Sequence, residues 1–328
     1  MERSAGLLFA LEGSRDYGQR LASRLEWPLS AHEEREFEDG EHKIRSLADV
    51  HRRDVFVLHS LCGTSNASPN DKLCRLLFFV GALKDAGAAR VTVLAPYLCY
   101  ARKDQRSQPF DPITTKYVAR MFEACGADGI ATFDVHNRAA YENAFRIPTL
   151  NIEAMPLFVE HFAARLRGKK VAVVSPDIGG AKRAEKFRRA LAAKLGDEPT
   201  AGFVDKRRAG GVVSGDLFVG DVDGRAVILF DDLISTGTTL CRAAAKCRQA
   251  GASSVFAAAT HGLFIGKAPE VLGARPALTP SSSAIRFDLK PRALGFFRKT
   301  SSSSTRPGSS ARPSPWPMRA FDRGGSFS

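Results

Sequence analysis

Residues 226–240, AVILFDDLISTGTTL, combine a short apolar run, two carboxylates and a row of small polar residues. Four consecutive apolar residues at 227–230 predict a strand buried on both faces, which Asp231 and Asp232 bring to an end. A helical pattern follows from Leu240. In an open parallel sheet, the loop between such a strand and helix lies at the carboxyl edge, where ligands bind. The stretch therefore predicts a binding site.

Small hydroxyl and glycine residues at a helix start suit an anion, because they leave backbone N–H groups accessible and add hydroxyl donors. The loop residues of this type are Ser235, Thr236, Gly237, Thr238 and Thr239. The two carboxylates repel a phosphate and instead suit sugar hydroxyls or Mg²⁺ beside it. The combination predicts a phosphorylated sugar as ligand; an acidic strand end with an ordinary helix cap is the plainer alternative. The sequence contains no G-x-x-x-x-G-K-[ST], so a Walker-type loop is excluded.

Four further stretches place polar side chains after predicted strands. They are residues 96–104 with Arg102 and Lys103, residues 133–136 ending in His136, residues 175–180 with Asp177, and residues 205–208 with Lys206 and Arg208. Taken singly, the first fits a solvated loop and the second a structural histidine. The last stretch places three cations before Gly210 and Gly211. It fits either a surface charge run or a mobile lid that brings positive charge onto phosphates.

The net charge of +13 is unevenly distributed along the chain. Residues 274–328 contribute +8 of it, so the first 273 residues carry only +5. A modest excess of this kind is expected of an enzyme that handles polyphosphates, and it predicts no nucleic-acid partner. No run of 18 apolar residues occurs, which predicts no membrane span. Six scattered cysteines without a C-x-x-C pair predict free thiols in a reducing cytoplasm.

Apolar runs alternate with helical patterns twice along the chain, with a boundary near residue 150. This alternation predicts an α/β fold with mainly parallel sheets. Predicted strands cover 6–11, 54–61, 91–95, 129–135, 170–175, 201–204, 227–230 and 254–260, and predicted helices cover 14–25, 70–87, 113–125, 153–166, 181–195 and 240–251. Asp39 and Gly40 predict a hairpin turn. Residues 97–112 and the basic segment from Lys206 are predicted loops.

The composition changes abruptly after Gly273. Among the last 55 residues, twelve are Ser and seven are Pro, and no apolar period is present. This composition predicts a disordered or aberrant tail at 274–328. A switch to Ser, Pro and Arg with no Glu is also what a shifted reading frame in GC-rich DNA gives. A frameshift near codon 273 and a genuine divergent tail are the two alternatives, and sequencing the gene again decides between them.

Together the stretches PYxxYAR-D, D-h-H, SPDxGG-KR, DKRR and DD-x-I-S-T-G-T-T resemble the ribose-phosphate pyrophosphokinase family in order and spacing. The likeness runs from about Leu7 to His261. The 231–239 loop alone is also similar to that of type I phosphoribosyltransferases, but a simple phosphoribosyltransferase has one such domain. The resemblance implies two phosphoribosyltransferase-like domains, at 1–150 and 151–273, each a mainly parallel sheet flanked by helices.

The resemblance also implies a reaction in which the β,γ-diphosphoryl group of ATP passes to the 1-hydroxyl of ribose 5-phosphate, with Mg²⁺ as cofactor. It implies a homo-oligomer, with adenine read across a subunit interface. The implied ribose 5-phosphate site is Asp231, Asp232, Ser235, Thr236, Gly237, Thr238 and Thr239. The implied ATP site is Phe37, Asp39, Gly40, Glu41, Arg102 and Lys103. His136 and Asp177 are the implied metal and polyphosphate contacts, and Lys206, Arg208 and His136 the implied catalytic residues.

Three departures and two rivals accompany this interpretation. The common bacterial pattern has Gln at Lys103, Asp at Ser235 and a second Gly at Thr238. The change at Lys103 leaves the nucleotide preference open. A non-catalytic regulator of the same fold is expected to lose His136 or the Lys206 and Arg208 pair, and this chain keeps both. A phosphoribosyltransferase does not need an adenine site at 37–41.

Overall fold

The computed structural model describes residues 6–209, 212–266 and 268. The described residues fall into two compact units that divide between Ile152 and Glu153. Gly210, Gly211 and the tail predicted at 274–328 lie outside the described residues.

The first unit alternates strands and helices in the order β1 (Leu7–Ala10), α1 (Arg15–Leu25), β2 (His32–Glu36), β3 (His42–Ser46), β4 (Asp54–Leu58), α2 (Pro69–Asp85), β5 (Arg90–Leu94), α3 (Thr114–Ala124), β6 (Gly129–Phe133), α4 (Arg138–Ala144) and β7 (Thr149–Ile152). Five strands form a parallel sheet in the order β1-β4-β5-β6-β7. Strands β2 and β3 form a separate antiparallel hairpin around Asp39 and Gly40, as predicted. The sequence did not predict α4 and β7, because seven and four residues show no clear period.

Helix α2 illustrates why the elements of this unit form where the sequence places them. Its start is a capping box, in which Ser68 and Asp71 each bond the other's backbone N–H through their side chains. Pro69 follows in the first turn, where the backbone N–H that proline lacks would have no acceptor within the helix. The apolar residues at helical spacing are all buried: Leu73, Leu76, Leu77, Val80 and Leu83. Burial of this stripe stabilises the helix on the sheet.

The second unit contains α5 (Met155–Arg165), β8 (Val171–Ser175), α6 (Ala181–Leu195), β9 (Thr200–Ala209), β10 (Val212–Gly220), β11 (Ala226–Ile234), α7 (Thr238–Gln249) and β12 (Ser254–Gly262). Its strands lie in the order β10-β9-β8-β11-β12, and every pairing is parallel except β9 with β10. The apolar run at 227–230 lies on β11, between β8 and β12, and is buried, as predicted. The predicted α/β class with mainly parallel sheets is confirmed.

The segment from Lys206 is not the loop that the sequence predicted. The backbone of 206–209 continues β9 and pairs with β10, with Arg207 opposite Gly215 and Arg208 opposite Val213. The prediction failed because polar and glycine residues are uncommon in strands, whereas a neighbouring strand supplies backbone hydrogen bonds whatever the side chains are.

Strand β11 also runs further than predicted. It passes through Asp231 and Asp232 and ends at Ile234, so the acidic pair does not end it. Pairing with β12 continues through this stretch, since Asp231 lies opposite Ala259 and Ile234 opposite Gly262. Aspartate disfavours a strand by local preference alone, and here the neighbouring strand overrides that preference.

A buried histidine in the first unit contacts the hydroxyl of Ser14, which stands at the N-cap position of α1. Helix α1 begins directly after Ser14, but the Ser14 Oγ accepts the Ser60 N–H at 2.9 Å and lies 3.2 Å from His59 Nδ1. His59 is only 1% exposed, and its Nε2 has no hydrogen-bond partner among the described residues. Burial lowers the pKa of His59 from 6.5 to about 4, and the Lys72 charge acts in the same direction, while Glu34 opposes it.

This depressed pKa predicts a loss of stability in acid. The folded protein keeps His59 neutral, whereas the unfolded chain binds a proton near pH 6.5. Its contribution is complete above pH 6.5 and is lost as the pH falls towards 4, by about 2 kcal/mol between about pH 7.5 and about pH 5. The free energy of unfolding should be measured with urea at the two pH values. Between them, wild type should lose about 2 kcal/mol more than His59→Gln, because glutamine does not titrate. Equal losses would contradict the assignment.

Candidate active site

The acidic pair lies where β11 extends past one of its neighbours. Strand β8 pairs with β11 only as far as Val174 opposite Leu229, whereas β12 stays paired as far as Ile234. Asp231 and Asp232 therefore lie at the carboxyl edge of the sheet with strand pairing on one side only. Asp232 is 7% exposed, and the side chain of Asp231 is 20% exposed. This is the position at which a parallel sheet places a ligand.

Arg183 binds both carboxylates. One of its guanidinium nitrogens, Nη1, donates to Asp231 Oδ1 at 2.9 Å and to Asp232 Oδ1 at 3.1 Å. Burial and the neighbouring Asp232 charge raise the pKa of Asp231 well above its ordinary value, and the Arg183 charge acts against this shift. The pair is thus a partly desolvated carboxylate site that needs a positive or hydrogen-donating partner.

The loop after the acidic pair opens directly into α7. Gly237 caps this helix with a φ of +76°, a conformation that favours glycine. Thr236 and Thr238 place their hydroxyl oxygens 3.2 Å apart, and both side chains are exposed. The loop is supported from behind, because the Ile265 N–H donates to the Ser235 carbonyl at 3.2 Å. Hydroxyls at the start of a helix can hold a phosphate.

Asp177 lies in the loop after β8, next to the acidic pair. Its Oδ1 accepts the Gly180 N–H at 3.1 Å, and Ser175 Oγ donates to its carbonyl at 2.6 Å. A Cβ on Gly180 would lie 2.6 Å from Ser175 Oγ and 3.6 Å from Asp231 Oδ1. The structure therefore brings the predicted Asp177 loop and the predicted sugar-binding acids to the same sheet edge.

The basic segment leaves the same edge of the second sheet. Strand β9 is paired with β8 as far as Phe203 opposite Ser175. Residues 206–209 follow in the same strand, so the backbone of Lys206 and Arg208 lies beyond the end of β8. Their side chains are outside the described part of the chain, and their catalytic role stays a prediction.

In the first unit, the loops after β5 and β6 meet at their carboxyl ends. Asn137 Nδ2 donates to Asp104 Oδ2 at 2.7 Å, which joins the loop of Arg102 to the loop of His136. Lys103 is occupied within its own loop, because its Nζ lies 2.7 Å from Asp111 Oδ2. Arg102 and His136 are both exposed. Of the predicted nucleotide contacts, Arg102 and Lys103 therefore share this edge with His136, and Arg102 is the more available cation.

The predicted adenine contacts lie on the turn of the β2–β3 hairpin. The Phe37 N–H donates to the Glu41 carbonyl at 2.7 Å, and the Glu41 N–H donates to Asp39 Oδ1 at 3.0 Å. Gly40 has a φ of +88°. Phe37 is 40% exposed, with the Arg35 guanidinium 5.0 Å from its ring centre. The turn thus presents an accessible aromatic face beside two acids, an arrangement that suits a purine ring.

Arg183 is the site residue that sequence reasoning missed. It was present in the SPDxGG-KR motif but received no role. One signal was available, because Lys182 and Arg183 lie in the first turn of a predicted helix, where the helix dipole disfavours cations. A cation there indicates a nearby anion, but the sequence did not show which one.

Two family models match the chain. They describe the N-terminal domain of ribose phosphate pyrophosphokinase, at residues 7–126, and a phosphoribosyl synthetase-associated domain, at residues 215–278. The ribose-phosphate pyrophosphokinase of Vibrio parahaemolyticus is 39% identical over 265 residues, covering 80% of this chain and 81% of the relative. That of Granulibacter bethesdensis is 37% identical over 270 residues, covering 82% and 84%. A crystal structure of phosphoribosylpyrophosphate synthetase from Mycobacterium smegmatis matches with a TM-score of 0.74 and 32% identity, covering 82% and 85%.

Proposed function

This chain belongs to the ribose-phosphate pyrophosphokinase family, and from that premise we propose the reaction and the site. The enzyme transfers the β,γ-diphosphoryl group of ATP to the 1-hydroxyl of ribose 5-phosphate, giving phosphoribosyl pyrophosphate and AMP. One observation carries the proposal. The Asp231 and Asp232 pair lies at the sheet edge immediately before the hydroxyl loop that begins α7. Acids for sugar hydroxyls thus adjoin a helix start suited to the 5-phosphate.

We assign ribose 5-phosphate to the 231–239 stretch. Asp231 and Asp232 would accept hydrogen bonds from the ribose hydroxyls. The backbone amides and hydroxyls of 235–239 would surround the 5-phosphate, with the partial positive charge of the α7 start behind them. This division of labour is supported by the exposure of Thr236 and Thr238 and by the partial burial of the acids.

We assign the nucleotide to the first unit. Phe37, Asp39, Gly40 and Glu41 would contact adenine across a subunit interface of a homo-oligomer. Arg102 would bind the polyphosphate. Lys103 remains a proposed contact, but it has to exchange its ion pair with Asp111 to take part. The loop is otherwise well anchored, since Thr115 Oγ1 donates to the Tyr100 carbonyl at 2.8 Å.

Mg²⁺ fits the chemistry of these donors. Among the described residues, no three His, Cys, Asp or Glu side chains are grouped to hold a metal. Magnesium seldom needs such a cage, because it is usually held by one or two carboxylates, substrate phosphates and water. Asp177 is the carboxylate that we assign to Mg²⁺, because this ion prefers oxygen ligands. We assign His136 to the polyphosphate instead. When bound, the ion would neutralise charge on the phosphates.

We place the enzyme in the cytoplasm. All six cysteines lie within the described residues, and no two of them form a disulfide. Cysteines without disulfides are typical of proteins in a reducing compartment. Separately, no helix in the described ranges has the length and apolar character to cross a membrane.

A coupled assay tests the reaction directly. The purified chain with ATP, Mg²⁺ and ribose 5-phosphate should release AMP and form phosphoribosyl pyrophosphate, and omission of ribose 5-phosphate should abolish both. A phosphoribosyltransferase would instead consume phosphoribosyl pyrophosphate together with a base. A non-catalytic relative would release no AMP at all, and either result would refute the proposal.

Replacing Thr239 by Val tests the phosphate loop. Valine has the shape of threonine without its hydroxyl, and a hydrogen bond to a charged group contributes roughly 1.5–3 kcal/mol. The KM for ribose 5-phosphate should rise about tenfold or more, with little change in the KM for ATP. Thr200→Val is the matched control. Thr200 is the first residue of β9, at the end of the sheet opposite the carboxyl edge, and its hydroxyl donates to the Asp221 carbonyl. Unchanged saturation by ribose 5-phosphate in Thr239→Val would count against the loop assignment.

Alanine substitutions at three consecutive cations test the basic segment. Residues 206–208 have strand backbone, so Lys206 and Arg208 belong to one face and Arg207 to the other. Removing one preorganised charge donor typically lowers turnover about 10²–10³-fold, so Lys206→Ala should do so while both substrates still bind. Arg207→Ala should be far milder. Equally mild effects at 206, 207 and 208 would show that the run is only a solvated charge patch.

A further inference from the structure

Arg183 occupies a position that is electrostatically unfavourable for a cation. The start of a helix carries partial positive charge, yet the first turn of α6 contains Lys182 and Arg183 and no acidic residue. The guanidinium is offset instead by the two carboxylates of β11, which lie 2.9 and 3.1 Å away. Asp231 and Asp232, which we propose bind the ribose, hold this cation against the helix dipole. Arg183 therefore has a role in the ribose site.

Two packing features hold α6 against the strands of this sheet. Phe187, one turn after Arg183, stacks on Phe230, the residue before Asp231, with ring centroids 4.2 Å apart and planes within 4°. Gly180, the residue before α6, allows close approach to the end of β8, because a Cβ there would lie 2.6 Å from Ser175 Oγ. The helix therefore cannot slide along the strand without losing the ring stack and the ion pairs together.

The geometry of the contact explains what the cation does. One nitrogen, Nη1, serves the Oδ1 atoms of both Asp231 and Asp232, so the two carboxylates are held at a fixed separation. Burial and the Asp232 charge raise the pKa of Asp231, and the Arg183 charge opposes this shift and so favours the ionised pair. Ionised acceptors form stronger hydrogen bonds with hydroxyl donors than neutral ones do.

We infer that Arg183 is a positioning residue for the sugar, holding Asp231 and Asp232 in the arrangement that accepts the ribose hydroxyls. This inference rests on the proposed function. Arg183 acts through the two aspartates, so its removal should weaken the binding of ribose 5-phosphate equally in the ground state and in the transition state. Loss of such uniform binding raises KM and leaves turnover nearly unchanged.

Steady-state kinetics of Arg183→Met, which keeps a long side chain and removes the charge, provide the test. The KM for ribose 5-phosphate should rise about tenfold or more, because Asp231 and Asp232 lose the cation that holds them in position and their hydrogen bonds to the ribose hydroxyls weaken. The KM for ATP and the turnover should change by less than about threefold. Arg183→Lys restores a cation and should recover part of the loss, which a purely structural role of the guanidinium would not give.

Arg189→Met is the matched control on the same helix. The Arg189 side chain is 75% exposed and pairs with Glu185, away from the acidic pair, so both KM values should stay at wild-type values. A wild-type KM for ribose 5-phosphate in Arg183→Met would overturn the inference. So would equal increases in both KM values, since these report a general disturbance. If Arg183→Met does not fold by circular dichroism, Arg183→Gln is judged by the same criterion.

Calorimetry separates this inference from the proposed function. Titration of wild type and Arg183→Met with ribose 5-phosphate should show about tenfold weaker binding by the variant. If wild type releases no AMP, the proposed reaction fails, but the titration still decides the role of Arg183. If wild type is active and the two titrations coincide, the reaction stands and the positioning role of Arg183 is wrong.

Discussion

Strand β11 pairs with β8 only as far as Leu229 but with β12 as far as Ile234, and this difference creates the edge on which the second unit's chemistry depends. A strand paired on both sides at Asp231 and Asp232 would bury the two charges without room for a ligand. A strand that ended at Phe230 would leave them on a mobile loop. Pairing on one side holds the acids in place and keeps them accessible, so binding requires little reordering of the chain.

Charge compensation completes this arrangement. Two adjacent carboxylates of low exposure are costly unless a cation or hydrogen-bond donor accompanies them. Arg183 supplies that partner from α6, and the Phe187–Phe230 stack fixes the distance between helix and strand. The apolar core of the second unit and the polar edge are therefore coupled, because the residue that stacks in the core directly precedes the first acid.

The first unit also carries its predicted polar contacts at the carboxyl edge of its own sheet, but it stabilises them differently. Its loops after β5 and β6 are joined to each other through Asp104 and Asn137. Lys103, which replaces the glutamine of the common bacterial pattern, is neutralised by Asp111 eight residues later. Hydrogen bonding to Lys103 and to the Ser107 backbone lowers the pKa of Asp111 far below its usual range. The extra cation thus contributes to ordering the loop, and Arg102 keeps its availability for an anion.

The amino-acid sequence by itself determined the α/β class, the hairpin turn at Asp39 and Gly40, the start and buried stripe of α2, and the strand–acid–loop–helix order at 226–240. Those features depend on hydrophobic periodicity, turn residues and helix caps, which can be recognised within a single segment of sequence. It also carried the motifs by which the family was recognised. It did not determine where β11 ends or that residues 206–209 are strand, because both depend on hydrogen bonds from β12 and β10 that local preferences do not contain.

The partner of Arg183 was decided only by the tertiary structure. Asp231 and Asp232 are 48 and 49 residues away along the chain. Adjacent strand residues normally point to opposite faces, so no sequence pattern predicts that both would reach one guanidinium nitrogen. That contact depends on the packing of α6 against β11, and it exists only once the sheet and its helix have assembled.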